Sequence, residues 1–251
     1  MLVLPLILAA LLSAASPALA QPRDAATDDR LDPMLAARDW KGLETVLTQP
    51  APLPTRVRQL NWLQRQVDRG GNFYVAQFYA QNLWAMAQAD PKRANLRQTA
   101  SEMLLYAAAL VRVDGAVCAD GSAPDRRLQQ VLRWQAPVLR ATRALPQQRK
   151  AAAVAAAIAL ERKTAPRRQA QDETLCQGGD AGLLAGLEAA GATFEIIPTP
   201  GQTNYAMPQP RQLAITPPRG WKPSFRQQRV YQPEQVVIRR HLPQTLAVIA
   251  K

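Results

Sequence analysis

Cys118 and Cys176 are the two cysteines of this 251-residue chain, and no Cys-x-x-Cys spacing joins them. A redox-active pair usually carries that spacing. Val-Cys-Ala-Asp-Gly and Leu-Cys-Gln-Gly-Gly are turn-like surroundings beside helical segments. The pair therefore reads as one structural disulfide of an oxidising compartment. His241 is the single histidine, next to Arg239 and Arg240, and reads as a surface residue. Metal centres gather His, Cys and carboxylates. No such cluster is legible, and no metal or cofactor is expected. Ser101, Ser122 and Ser224 lie in no Gly-x-Ser-x-Gly context. Gly70-Gly71 and Gly178-Gly179 lack the spacing of a phosphate-binding loop.

Carboxylates are the remaining route to catalysis. Cutting a glycosidic bond needs two carboxyls facing one cleft, one with a raised pKa. Glu102 lies among Met103, Leu104 and Leu105, and Asp114, Asp120 and Asp125 crowd the Cys118 turn. A solvated helix glutamate and turn aspartates bonded to their own backbone explain these residues more simply. Arg126 and Arg127 beside that turn, and Arg167 and Arg168 in the basic stretch from Thr164 to Gln171, are candidate anion contacts.

Asn72 to Ala89 carries five aromatics between Phe73 and Trp84. At helical spacing Val75, Phe78, Tyr79, Leu83 and Met86 share one broad face. Phe73, Tyr74 and Trp84 gather with Gln77, Gln81 and Gln88 on the other, a candidate surface for sugars or a peptide. The simpler reading is a helix buried nearly all round.

The elements that position these residues are helices. Asp32-Pro33 reads as the first start, with Leu35, Trp40, Leu43, Val46 and Leu47 at helical spacing up to Pro50. Thr55 can cap a second helix, which Gly70-Gly71 stops. Asn72 opens the third. Asp90-Pro91 opens a fourth, to about Val113. Pro124 opens a fifth, with Pro137 as a kink, and Pro146 a sixth. A basic loop from Thr164 to Gln171 precedes a short helix from Asp180 to Ala190. No 34-residue repeat recurs. The expected fold is all-α: an irregular helical bundle or short α-solenoid of helix pairs over residues 32–191.

Residues 1–20 carry no charge, with an apolar run from Leu2 to Leu12 and a small-x-small ending, Ala18-Leu19-Ala20. This reads as a signal peptide cleaved after Ala20, although a basic start is missing. A polar leader is expected over residues 21–31. Residues 192–251 read as an extended Pro/Arg-rich arm, because Pro198 to Lys251 holds nine prolines and one acid, Glu234. The formal net charge of +12 points to anionic partners.

The stretch Val113-Asp114-Gly115, Cys118, then Asp120-Gly121-Ser122-Ala123-Pro124 and Arg127, followed by Leu175-Cys176-Gln177-Gly178-Gly179, resembles a group of exported proteobacterial proteins of unknown function. The likeness covers about residues 55–185. It implies export and a cysteine pair, and it brings no activity with it. The combined expectation is a periplasmic or secreted, non-enzymatic scaffold or binding module of the cell envelope. A basic arm would reach an envelope protein or an anionic lipid or glycan, and nucleic acid is not expected. The alternatives are a carboxylate glycan hydrolase and a peripheral membrane protein, not a transmembrane one.

Overall fold

The computed structural model describes residues 25–90, 92, 94–169, 171–189 and 217–251. Among the described residues the regular structure is helical: α1 Ala25–Ala36, α2 Trp40–Thr48, α3 Leu53–Asp68, α4 Phe73–Ala89, α5 Ala94–Asp114, α6 Ser122–Trp134, α7 Ala136–Ala144, α8 Gln147–Thr164, α9 Glu173–Cys176, α10 Asp180–Ala189 and α11 Gln228–Ile249. The all-α expectation holds, as an irregular bundle built around α5.

From Met103 to Val111 every residue of α5 is buried. A helix apolar on all sides belongs inside a protein. Ala107, Ala108 and Ala109 keep it thin, and α4, α6, α7, α8 and α11 pack around it. The expected cap at Asn72 is present: its side-chain oxygen accepts from the amides of Tyr74 and Val75. Gly70 has φ +88, and a Cβ there would meet the Arg167 backbone at 2.7 Å, so the α3–α4 turn requires glycine.

The N-terminal expectation needs correcting. Residues 25–31 of the supposed polar leader are helical and docked, with Leu31 buried and Asp28 paired to Arg65. Asp32 is no helix start. It lies inside α1, and its carboxylate accepts from Trp62 Nε1 at 2.8 Å and Gln66 Nε2 at 3.1 Å. The chain breaks instead at Arg38, φ 55, and Asp39 caps α2 through the Gly42 amide. Thr55 sits inside the first turn of α3, behind Pro52, rather than at its cap. Residues 1–24, with the expected signal, lie outside the described residues.

The C-terminal expectation needs a larger correction. Residues 192–216 lie outside the described residues, but Gln228–Ile249 is a 22-residue helix rather than an extended arm. Pro233 and Pro243 fall on its exposed side, where water can satisfy the carbonyls they leave unbonded. Tyr231, Leu242, Leu246 and Ile249 are buried, so α11 belongs to the helical core.

A buried ionic network holds α11 in place. Glu161 on α8 is fully buried. Arg168 contacts its carboxylate at 2.6 Å and donates to its backbone carbonyl at 2.8 Å. Arg239 of α11 contacts the same carboxylate at 3.1 Å. Arg168 also reaches Asp114, at the end of α5, at 2.9 Å. Removing one partner of such a network leaves a desolvated charge alone, which costs about 3–5 kcal/mol. Glu161→Ala is accordingly expected to lower the free energy of unfolding in urea by about that amount. A loss below about 1 kcal/mol, the scale of an exposed ion pair, would refute this role.

Candidate functional site

Cys118 and Cys176 form a disulfide, both sulfurs buried, with Cα atoms 5.2 Å apart. It ties the turn after α5 to α9. Asp120 organises the same corner. Its carboxylate accepts from the Ser122 amide at 2.9 Å, the Ser122 hydroxyl at 2.6 Å and the Ala181 amide at 2.8 Å, so one side chain serves the first turns of α6 and α10. Burial alone would raise the pKa of Asp120, but these bonds and the nearby Arg126 hold it below the usual value. A Cβ on Gly179 would lie 2.2 Å from Asp120, which explains glycine there. Residues 224–226 close over the corner, with the Ala119 amide on the Ser224 carbonyl and the Arg226 amide on the Val117 carbonyl.

An open groove of about 520 Å³ runs beside this corner along α6. Arg126, Arg127, Arg133 and Trp134 line it, with Gln129, Gln130 and Gln177. Arg127 is a structural peg. It donates to the Tyr74 hydroxyl at 3.1 Å, to Gln130 Oε1 and to the Thr174 carbonyl at 2.8 Å, and its guanidinium lies 5.6 Å from the Phe73 ring centroid. Arg126 pairs with Asp180 at the surface. Arg133 is exposed and makes no ion pair among the described residues. Trp134 is 46% exposed, with its ring centroid 6.2 Å from that of Tyr74. Tyr74 in turn stacks on Trp40 at 4.8 Å. The groove thus offers an aromatic plate backed by a rigid core, free and half-free guanidinium groups, and three amides.

The candidate aromatic surface on α4 needs correcting. Phe73, Tyr74 and Gln77 are buried, Gln81 and Trp84 are half-buried, and Gln88 alone of the six is exposed. Neighbouring helices α2, α3, α5 and α7 cover it. The four candidate anion contacts also divide. Arg126 and Arg127 share the α6 groove, whereas Arg168 lies in the ionic network and Arg167 donates to the Asp68 carbonyl at 2.7 Å. Sequence reasoning missed Arg133 and Trp134. Their signal was present: Arg126, Gln130, Arg133 and Trp134 recur at the three- and four-residue steps of one helix face.

No protein family, characterised protein or solved structure matches this chain.

The carboxylates have structural partners. Asp125 pairs with Arg112 at 2.5 Å. Glu102 is half-buried, which raises its pKa, and accepts from Gln98 at 3.2 Å, which lowers it. Asp114 and Asp172 both line a cleft of about 250 Å³ with Trp40 and Arg69. Asp172 is held by Asn72 at 2.9 Å and by the Thr174 amide at 2.9 Å. His241 is exposed on α11. Among the described residues no three metal-ligating side chains come together.

Two outcomes follow from this chemistry. The disulfide closes a separation of 58 residues. Replacing both cysteines with serine is expected to cost about 4 kcal/mol of stability in chemical denaturation, and a cost near zero would contradict a structural bond. Asp114 has its pKa pushed up to about 6, first by burial, with Arg168 opposing and Glu161 adding to the rise. The folded chain keeps a proton that the unfolded chain releases at about 3.9. This contribution is full below about pH 4 and is lost as pH rises through about 6. Urea midpoints should therefore fall across that window, and Asp114→Asn should flatten the fall. An unchanged slope in the variant would refute the assignment.

Proposed function

We propose that this protein is a non-enzymatic binding module of a bacterial envelope and that the α6 groove holds an acidic saccharide. The observation that carries the reading is Trp134, a large aromatic 46% exposed at the end of a groove whose neighbour Arg133 has no ion-pair partner among the described residues. An indole face packs against the apolar face of a pyranose ring. A guanidinium takes a carboxylate or sulfate with paired hydrogen bonds. Gln129, Gln130 and Gln177 supply amides suited to sugar hydroxyls. The net charge of +12 adds long-range attraction for such a polymer. The envelope part of the proposal rests on the leader-like residues 1–20, on the disulfide and on the resemblance to exported proteins. Among the described residues no helix is long and apolar enough to cross a membrane.

The hydrolase reading has one observation in its favour, the raised pKa of Asp114 in a cleft shared with Asp172. The ties of both carboxylates to Arg168, Asn72 and the Thr174 amide weigh against it.

Tetragalacturonate, with uncharged maltotetraose as the control, tests the proposal by titration calorimetry on the full chain. Binding of the acidic sugar is expected to weaken at high salt. Trp134→Ala and Arg133→Ala are each expected to weaken it about tenfold or more, the scale of an anchoring contact. Equal affinity for maltotetraose, or indifference to Trp134→Ala, would overturn the reading.

A further inference from the structure

A second groove, of about 540 Å³, lies between α8 and α11, apart from the α6 groove. Its walls are apolar and narrow. Ala151, Ala155 and Ala159 recur every four residues on α8, with Val154 and Ile158 beside them, and α11 adds Pro243, Ala247 and Ala250. Val154 and Ala250 are buried and form the floor. The polar residues of the lining are Gln147, Lys150, Arg162 and Lys251, and none of the lining side chains is acidic. Lys150, Arg162 and Lys251 make no ion pair among the described residues.

The two helices run in opposite directions. Arg239, in the middle of α11, meets Glu161 near the end of α8. The Ile249 carbonyl, at the end of α11, accepts from Arg143 just before α8 begins. Lys251 therefore lies at the Lys150 end of the groove, and Arg162 at the other. The Lys150 end carries the first turn of α8, whose free amides favour an anion, and the last turn of α11, whose carbonyls oppose it, so the two ammonium groups set the sign there. Twelve residues separate Lys150 from Arg162, about 18 Å along a helix. One acyl chain spans half of a bilayer core of roughly 30 Å, or about 15 Å. The length, the apolar walls and the paired lysines at one end agree on one kind of occupant.

We propose that the α8–α11 groove binds a long-chain fatty acid, with its carboxylate between Lys150 and Lys251 and its chain running along Ala155 towards Ile158. The alanines keep the walls back from the chain axis, Val154 and Ala250 give it an apolar floor, and Ile158 adds apolar wall. Arg162 lies beyond the methyl end and keeps the groove exposed to solvent there.

The test uses monomeric fatty acids on the full chain, below their micelle concentrations, followed by calorimetry. Octanoate, decanoate, laurate and myristate are expected to bind with rising affinity, by up to about fourfold per methylene, until the groove is filled. Dodecyltrimethylammonium, with the same chain and the opposite charge, is expected to bind at least tenfold more weakly than laurate. Lys150→Glu combined with Lys251→Glu should weaken laurate about tenfold and leave dodecanol unchanged. Ala155→Trp fills an exposed position, so circular dichroism should report an intact fold while laurate binding is lost. Three outcomes overturn the proposal: laurate binding that survives Ala155→Trp, no preference for laurate over dodecyltrimethylammonium, or a dimer in sedimentation that Ala155→Trp dissociates. The last would assign the groove to a second copy of the chain.

Discussion

A carboxylate with no contact with water is tolerated only where cations and hydrogen bonds replace the water it has lost. Glu161 is in that position, and much of the architecture answers to it. Arg168 must lie close, so the basic loop after α8 folds back along that helix. Arg239 must arrive from the far end of the chain, so α11 docks on α8 with its Tyr231, Leu242, Leu246 and Ile249 face inward. Asp114 then pairs with Arg168 from the other side and fixes where α5 ends. Hydrophobic burial around α5 supplies most of the driving force, but it is tolerant of sliding and rotation. The ionic contacts are directional, and they set one register among α5, α8 and α11.

The disulfide does comparable work at the start of α6. Cys118, Asp120 and Ser122 fix where that helix begins, and Arg127 pins its middle to α4 and α9. Towards solvent α6 turns Asp125, Arg126, Gln129, Arg133 and Trp134. A binding surface on a helix held at both start and middle keeps its side chains within a narrow range of positions, which lowers the ordering entropy that a ligand must overcome.

Several elements were legible in the sequence because local chemistry decided them. Asn72 caps α4, Pro137 separates α6 from α7, and two cysteines in turn-like contexts form a bond. The misread elements are those in which distant contacts outweighed a local signal. Asp32-Pro33 has the form of a helix start, yet Asp32 serves Trp62 and Gln66 from inside α1. The prolines of the last fifty residues suggested an extended chain. In the helix itself Tyr231, Ile238, Leu242, Leu246 and Ile249 keep a helical step, and Pro233 and Pro243 fall on the exposed side, where that step is not interrupted. The candidate aromatic surface failed for a related reason. Amphipathic spacing tells which residues share a face of α4, and it does not tell how many faces the neighbours cover.

Charge shows the same limit most sharply. A formal +12 is visible from composition, but composition cannot say which cations are already engaged. Arg168, Arg239, Arg127 and Arg65 are tied to internal acceptors, and substituting them would disturb the fold before it disturbed a ligand. Arg133 beside Trp134, and Lys150 and Lys251 beside an apolar groove, have no such partner among the described residues. A cation left unpaired at the edge of a concave surface keeps its hydration until an anion displaces it, so it contributes to binding without being needed for folding. The sequence motif around Cys118 and Cys176 accordingly belongs to the scaffold. The chemistry available to a partner lies in the less conspicuous residues that this scaffold leaves facing water.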